Sequence, residues 1–466
     1  YMLSLPSDDL PPLPSLPPEH MSATLHGVLA ELLLVSASLS PILIVLEDAH
    51  WADASTLAFI ALLCASPTQS ALCVLMTARP DSQAIQMKVR QLVLPPLSPQ
   101  AMTGLIRAQR PDLSAQQLAH VMARADGVPL FAIELLALNK LDASKDITDL
   151  PLNLHDLLAV RLETLGSERA LAHWMACVGR EIDEAMLEQL TDMTHAEFQT
   201  HVDRLLASDL FQRLADGRLQ FNHALLQEAA YQAMPRSQRR VKHRRIAQLI
   251  EGARNAHSLW TGGDAFVPEW LARHWTSVDE PAQAIPYWLE AGRLAMSRYM
   301  FTQAALHYKQ GLNMLDQDLV QDLPQREALE FALLVNLAHT EQVLDGYGNA
   351  QALAVMNKAV ALLDAGVGNT LDRFNALWGQ WEAVASQTGH EEAMRIAQQM
   401  LALAEQDGRP ALRQQGLCVM GITSFWLGQP QQAQALLQQC IAKTQSYLAS
   451  IDIEGGHELD VFESVS

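Results

Sequence analysis

The chain has 466 residues, of which 49% are hydrophobic and 18% charged, and its formal net charge at pH 7 is −20. Because domains commonly have about 100–200 residues, this length predicts three or four domains. The 23 Gly and 22 Pro are too few for a collagen-like or wholly disordered chain. The acidic balance argues against nucleic acid as a partner of the chain as a whole.

Cysteine usage and the beginning of the chain predict a cytoplasmic protein. The five cysteines contain no Cys-x-x-Cys pair, so neither a zinc framework nor a disulfide scaffold is expected. No signal peptide is apparent, and the longest apolar stretch, 28–46, contains Glu31 and is interrupted by Pro41, so we expect no membrane span. The chain starts with Tyr1 and not with Met, which favours a fragment.

The first hundred residues alternate strand and helix signals. The proline-rich segment 6–18 predicts an extended surface loop, and an apolar helix is expected at about 22–36. The apolar runs 42–46 and 71–77 have the length of strands buried on both faces, and a short third strand is predicted at 92–94. This alternation predicts a parallel α/β sheet.

The middle of the chain is predicted to be almost entirely helical. Helices at about 98–108, 114–125 and 129–139 would form a small helical domain over 97–150. Residues 151–255 are also helical in pattern, except for alternating segments around Asp216-Gly217, which are a hairpin signal. Helices with one hairpin predict a winged-helix domain there.

Residues 265–445 carry a loose internal repeat of helix pairs. The small residues Ala304, Ala352, Ala393 and Ala433 recur at steps of 48, 41 and 40 residues. Small residues let paired helices approach closely, so we predict a solenoid of degenerate tetratricopeptide-like pairs. The last stretch, 446–466, departs from the repeat and is predicted to be an acidic, frayed tail. The whole is a multidomain, mainly α chain with a partial parallel α/β sheet.

Two adjacent carboxylates follow the first predicted strand. Glu47 and Asp48 come directly after 42–46, and open α/β sheets bind ligands at the carboxyl ends of their strands. Such carboxylates can hold Mg²⁺ bound to phosphates and orient a water, although a solvated acidic turn has the same sequence. Arg79, at the end of the next strand, favours the first interpretation, because a cation at that edge can sense a γ-phosphate.

Four segments resemble motifs of one family, the STAND-class signalling ATPases. Leu46–Asp53 (LEDAHWAD) resembles the Walker B segment, most closely that of large bacterial AAA-type members that follow a cyclase or protein-kinase domain. Residues 77–80 (TARP) resemble the sensor-1 strand end, and 125–131 (ADGVPLF) the GxP motif of the helical domain. Residues 221–228 (FNHALLQE) resemble the winged-helix histidine segment. The order along the chain is that of the family.

The resemblance implies a P-loop-type NTPase domain whose Walker B part lies in 1–96, and a switch that binds ATP or ADP with Mg²⁺. Glu47 and Asp48 would serve Mg²⁺ and water activation, and Arg79 would read the γ-phosphate. ADP would hold a closed form, whereas ATP and a protein partner on the repeats would favour an open, self-associating form. Hydrolysis would be slow, and an upstream cyclase or kinase domain would be the output.

The resemblance also implies site residues in the two helical domains. Gly127 and Pro129 belong to the GxP motif, whose proline packs on adenine, although Pro129 could equally be the first residue of the next helix. His223 would contact the ADP β-phosphate, and the alternative is a packed histidine at the end of the hairpin.

Two departures from the family pattern leave a second function open. The sequence contains no Gly-Lys dipeptide and therefore no GxxxxGK[ST] phosphate loop. Glu47 stands where Asp is commoner, so which carboxylate lies nearer Mg²⁺ stays open. The alternative function is a helical-repeat interaction scaffold with a vestigial, non-binding ATPase half. A sheet without its phosphate-loop strand would expose apolar flanks, so we expect the isolated chain to aggregate.

Two further patterns have both a functional and a purely structural interpretation. His50 with Asp48 and Asp53 has a metal-like spacing, but a capped turn at a helix start is favoured. The basic run 236–245 could bind nucleic acid or anionic lipid. We favour a solvated face, or pairing of the cations with acidic neighbours. On the same helix, Val241, Ile246, Leu249 and Ile250 are then expected to form the side that faces the interior.

Overall fold

The computed structural model describes residues 18–65, 71–79, 89–141, 153–255, 267–316, 325–387 and 389–450. Within these ranges the protein is mainly α-helical with two small sheets. The chain divides into two compact units, the first made of 1–89 with 281–466 and the second of 90–280. The proline-rich segment, up to residue 17, and the tail from residue 451 lie outside the described residues.

The first unit begins with a two-stranded parallel sheet and two helices. The elements are α1 (Pro18–Leu39), β1 (Ile42–Leu46), α2 (Ala54–Ala65) and β2 (Leu72–Met76). The strands pair in register from Ile42↔Leu72 to Leu46↔Met76, which confirms the predicted parallel arrangement. One face of the sheet packs on buried residues of the two helices, namely Ala30, Ile60 and Leu63.

The other face of this sheet is open, so the prediction of strands buried on both faces is wrong. Leu43 is 61% exposed, Val45 50% and Leu75 53%, because the described helices cover one face of the sheet only. The apolar flanks expected from the sequence are therefore present. The predicted strand at 92–94 is also wrong, since these residues are irregular and exposed, and 95–96 are prolines without an N–H to donate.

The second unit contains the predicted helices of the middle of the chain. Three of them form its first part: α3 (Pro99–Gln109), α4 (Ala115–Ala125) and α5 (Pro129–Leu141). The remaining elements are α6 (Leu154–Glu163), α7 (Arg169–Val178), β3 (Glu181–Ile182), α8 (Glu184–Gln189), α9 (His195–Ala207), β4 (Phe211–Arg213), β5 (Leu219–Phe221), α10 (Ala224–Gln232), α11 (Arg236–Asn255) and α12 (Val267–Ser277).

The predicted hairpin at Asp216-Gly217 is confirmed. β4 and β5 pair antiparallel, and Gly217 has a φ of +88°, a conformation that glycine adopts without steric strain. The short strand β3, which the sequence pattern did not reveal, pairs with β5 and gives the sheet order β3-β5-β4.

A buried ion pair joins α5 to α6. Arg161 Nε lies 2.9 Å from Glu134 Oε2, and the two side chains are only 6% and 7% exposed. Breaking this pair would leave an unpaired charge in a buried position, which is strongly destabilising. The ion pair therefore holds the two helices together.

The first unit continues with four helix pairs. They are α13 (Pro281–Ser297) with α14 (Phe301–Leu315), α15 (Arg326–Asp345) with α16 (Ala350–Asp364), α17 (Thr370–Ser386) with α18 (His390–Asp407), and α19 (Pro410–Trp426) with α20 (Pro430–Ser450). Each helix contacts the next, and the first helices of successive pairs also touch, as α13 with α15 and α15 with α17. The predicted stack of helix pairs is thereby confirmed.

Small residues allow the close packing of these pairs, as predicted. Ala304, Ala352 and Ala393 are fully buried, and Ala433 is nearly so. At Gly292, an added Cβ would lie 2.2 Å from Cε1 of the buried Tyr308. Within the described ranges, no helix is both long enough and apolar enough to cross a bilayer.

Candidate functional site

The chain turns sharply at Asp48, directly after β1, and the end of β2 holds this turn. Asp48 has a left-handed backbone with φ 52°. Its N–H donates to Oγ1 of Thr77 at 2.9 Å, and the N–H of Ala49 donates to the Thr77 carbonyl at 2.7 Å. The N–H of Thr77 in turn donates to the Leu46 carbonyl at 3.0 Å. Glu47 and Asp48 are thus fixed at the carboxyl edge of the sheet.

The two carboxylates have different surroundings. Glu47 is exposed, like Leu43 and Val45 on the open face of the sheet, whereas Asp48 is half-buried. The exposure of 43–48 alternates without a break, so the two carboxylates follow the alternation of the strand. Carboxylate oxygens are the ligands that Mg²⁺ prefers, so the chemistry of this turn fits a hydrated magnesium bound to phosphates.

Arg79 stands three residues beyond the last residue of β2, and its side chain is exposed. Since Leu46 pairs with Met76, the segments that carry Glu47–Asp48 and Arg79 leave the sheet at the same edge. Thr77 is the residue that connects them, and the resemblance of 77–80 to a sensor-1 strand end was the sequence signal that included it.

Asp53 caps α2, as predicted. Its Oδ1 accepts the N–H of Thr56 and its Oδ2 accepts the Thr56 hydroxyl, both at 2.8 Å. These two contacts account for Asp53 as a helix cap, which is the interpretation that the sequence favoured. No group of three or more metal-ligating side chains occurs among the residues that the structure describes.

The GxP segment forms a tight connection between α4 and α5. Asp126 and Gly127 both have positive φ, 44° and 76°. A Cβ on Gly127 would lie 2.5 Å from Cβ of Pro96, and the Gly127 carbonyl accepts the N–H of Leu97 at 2.8 Å. Pro129 opens α5, as one of its two interpretations predicted, and its ring is exposed and therefore accessible to a ligand.

His223 occupies the N-cap position of α10 and is exposed, so the alternative of a packed histidine is wrong. The preceding residue anchors the hairpin, because Asn222 Nδ2 donates to the Asp209 carbonyl at 2.7 Å. His223 and the GxP residues belong to the second unit, whereas Glu47, Asp48 and Arg79 belong to the first. The positions of these candidate residues are therefore described separately for each unit.

Three cations of the basic run pair with acidic neighbours, as predicted. Arg236 and Arg240 lie 3.0 and 3.6 Å from Asp279 Oδ2, and Arg244 lies 2.7 Å from Glu280 Oε1. These cations are four residues apart and share one side of α11, where two carboxylates offset most of their charge.

The predicted inward side of α11 is only partly correct. Ile246 and Ile250 are buried, but Val241 is 64% exposed. Arg239 and Lys242 lie away from the acidic neighbours, against α7 and α10. The sequence shows that Arg239 and Lys242 do not belong to the series at 236, 240 and 244. It does not show which helices these two residues contact.

Comparison with known proteins gives distant similarities. No protein-family model matches the chain. An uncharacterized protein of Rhizobium meliloti (strain 1021) is 23% identical over 468 residues, covering 95% of this chain and 44% of the relative. The chain therefore spans less than half the length of that curated relative.

Among solved structures, the chain is similar to a Signal Transduction ATPase with Numerous Domains (STAND) protein with a tetratricopeptide repeat sensor from Pyrococcus horikoshii. The identity is 13%, the alignment covers 93% of this chain and 69% of that one, and the TM-score is 0.40.

Proposed function

We propose that the chain is part of a STAND-type signalling switch whose conformation depends on bound ATP or ADP with Mg²⁺. The observation that carries the proposal is the parallel pairing of β1 and β2. It brings the Glu47–Asp48 turn, held by Thr77, and the segment of Arg79 to one edge of the sheet. Open α/β sheets bind their ligands at this edge.

In this proposal the residues at the sheet edge serve the phosphates. Glu47 and Asp48 hold Mg²⁺ and orient the attacking water, and Arg79 contacts the γ-phosphate. Bound Mg²⁺ would neutralise part of the phosphate charge. Because the sequence has no Gly-Lys dipeptide, the phosphate-binding loop is supplied by residues outside these 466.

In the same proposal, two segments of the second unit serve the nucleotide. The exposed ring of Pro129, held in place by the turn at Gly127, packs on adenine, and His223 contacts the ADP phosphates. The order α7-β3-α8-α9-β4-β5, with sheet order β3-β5-β4, supports a winged helix as the module that carries His223. The buried pair of Glu134 and Arg161 would make this module and the helical domain move together.

The helical repeats would bind a protein partner. Phe425 and Trp426, at the end of α19, are 64% and 42% exposed, and exposed apolar side chains of this size are typical of interaction surfaces. In the whole protein, ATP and the partner would favour the open, self-associating form, slow hydrolysis would reset it, and a cyclase or kinase domain would be the output.

The test is equilibrium binding of ATP and ADP to the full-length protein, with and without Mg²⁺. We expect Asp48→Asn to weaken Mg²⁺-dependent ATP binding by ~10-fold or more, because a charged ligand contact is lost. Arg79→Ala should weaken ATP binding more than ADP binding. Asp112→Asn and Arg110→Ala, which change an exposed ion pair elsewhere, are the matched controls and should bind like wild type.

Failure of the full-length protein to bind either nucleotide would contradict the proposal. Retained binding of a protein partner by the repeats would then favour the interaction scaffold with a vestigial ATPase half.

A further inference from the structure

Helix α11 carries two sets of cations with different surroundings. The first set, paired with Asp279 and Glu280, is described above. The second set is Arg239 and Lys242, which are three residues apart and therefore on one side of the helix. Both are half-buried.

An aromatic ring lies beneath each cation of the second set. Lys242 Nζ lies 3.7 Å from the centroid of the Trp174 ring on α7. Arg239 Cζ lies 4.8 Å from the centroid of the Tyr231 ring on α10. Such cation–π contacts are attractive and hold the two cations in defined positions against α7 and α10.

The charge of this pair is not neutralised. Within the described parts of the chain, neither Arg239 nor Lys242 forms a salt bridge, and Arg239 Nε is buried without a hydrogen-bond partner. Nε2 of His173, on α7, is likewise buried and unpartnered. Burial lowers the pKa of Lys242 to about 8, and burial together with the positive charges of Lys242 and Arg169 lowers the pKa of His173 to about 4. Among the described residues, Arg239 and Lys242 thus have no acidic counterpart, and His173 stays neutral beside them.

We propose that Arg239, Lys242 and His173 form a binding site for a small phosphate-bearing anion between α7 and α11. The guanidinium and the ammonium supply two charged donors, and the neutral imidazole of His173 supplies one N–H. A bound phosphate would neutralise the like charges and give the buried nitrogen atoms an acceptor. These residues take no part in the proposed nucleotide site, so either proposal can fail alone.

The size of the uncompensated patch favours a single phosphate group over a nucleic-acid backbone. Asp279 and Glu280 pair with the other side of α11, so among the described residues the basic run presents three cations without an acidic partner, Arg239, Lys242 and the exposed Arg245, and not a long basic stripe. Polymer binding uses many such contacts, whereas one phosphomonoester or pyrophosphate can satisfy two. A soluble phosphate compound and the headgroup of an anionic lipid share this chemistry.

The first experiment is calorimetric titration of the full chain with inorganic pyrophosphate at low ionic strength. We expect Lys242→Gln and Arg239→Gln each to weaken binding by ~10-fold or more, since each removes a charged donor. Arg240→Gln removes an equal charge from the same helix but from the paired side, and it should bind within about twofold of wild type. Equal weakening in all three variants would overturn the proposal.

A second measurement needs no variant and so does not depend on how a variant folds. Lys242 of the wild-type chain is acetylated with an N-hydroxysuccinimide ester, and its modification is followed by peptide mass spectrometry. Pyrophosphate should slow the modification of Lys242 several-fold and leave Lys309, which pairs with Glu341, unchanged. Equal rates at Lys242 with and without pyrophosphate would contradict the site.

Vesicle sedimentation separates the two sources of the phosphate. Phosphatidylcholine vesicles with phosphatidic acid should bind wild type but not Lys242→Gln if a lipid headgroup is the ligand. Binding of pyrophosphate without binding of these vesicles assigns a soluble phosphate compound. Failure of both probes to bind would refute the proposal.

Discussion

Acidification should destabilise the second unit through a buried pair of histidines. His243 on α11 and His274 on α12 are 5% and 4% exposed, and their Nδ1 atoms lie 2.8 Å apart. His243 Nε2 also lies 3.0 Å from the hydroxyl of Tyr231. A contact between two Nδ1 atoms needs one N–H and one lone pair, so protonation of both rings would set two donors against each other.

The sign and size of the effect follow from the pKa values. Burial, together with the positive charge of Arg239, lowers the pKa of His243 to about 4. Burial, with the positive charges of His243 and Arg273, lowers the pKa of His274 to about 3. In the unfolded chain both pKa values are about 6.5, so the unfolded state binds more protons and stability is lost as pH falls below about 6.5. At pH 5 the loss is about 2 kcal/mol for each histidine that stays neutral in the folded state.

His274→Phe removes one of these titrations. The assay is urea unfolding at pH 7.5 and pH 5, followed by tryptophan fluorescence, for wild type and variant. The variant leaves His243 Nδ1 without its partner and is less stable at both pH values, so the quantity compared is the loss between them. That loss should be smaller by about 2 kcal/mol than in wild type.

His195→Phe is the matched control, because the side chain of His195 is 74% exposed on α9. It should lose as much stability as wild type on acidification. Equal acid losses in wild type and His274→Phe would refute the reasoning, because the buried pair would then not be the group that binds the extra protons.

Three further outcomes follow from the packing. Arg161→Met alone should lower the free energy of unfolding by about 3–5 kcal/mol, and adding Glu134→Leu should restore most of it in a double-mutant cycle; additive losses would contradict this. Gly127→Ala should cost about 2 kcal/mol because of its positive φ and the close contact with a proline, whereas Gly104→Ala, in open space on α3, should gain about 0.5–1 kcal/mol in the same urea melts. Val45→Lys should reduce dye binding and light scattering by the chain, since it places a charge on the open sheet face; unchanged scattering would argue against that face as the cause of aggregation.

Local signals in the sequence were sufficient for much of the secondary structure. The apolar run 42–46 is a strand, Asp53 caps the helix that follows it, and Asp216-Gly217 turns a hairpin. The recurring small residues Ala304, Ala352 and Ala393 correctly indicated helix pairs. These features depend on backbone conformation or on contacts between neighbouring elements, which residue type and spacing largely specify.

The errors concern surfaces whose partners are remote in sequence. Leu43 and Val241 are apolar and were expected to be buried, but among the described residues no element covers them. The segment 92–94 has the composition of a strand, but among the described residues it pairs with no strand. Hydrophobicity records that a residue can be buried, whereas burial itself requires a neighbouring surface.

The candidate site shows the same division. The sequence shows the order of the four motifs along the chain: the acidic pair, the arginine, the GxP turn and the histidine. This order was enough to suggest a nucleotide-dependent switch. Only the folded chain revealed that Thr77 holds Asp48 in place and that the cations of α11 divide into a neutralised set and an uncompensated set. The sequence determines which charges the protein carries. The partners of these charges depend on how helices that are distant along the chain pack together. Because the energy of a charge depends on its partners, only the tertiary structure decides it.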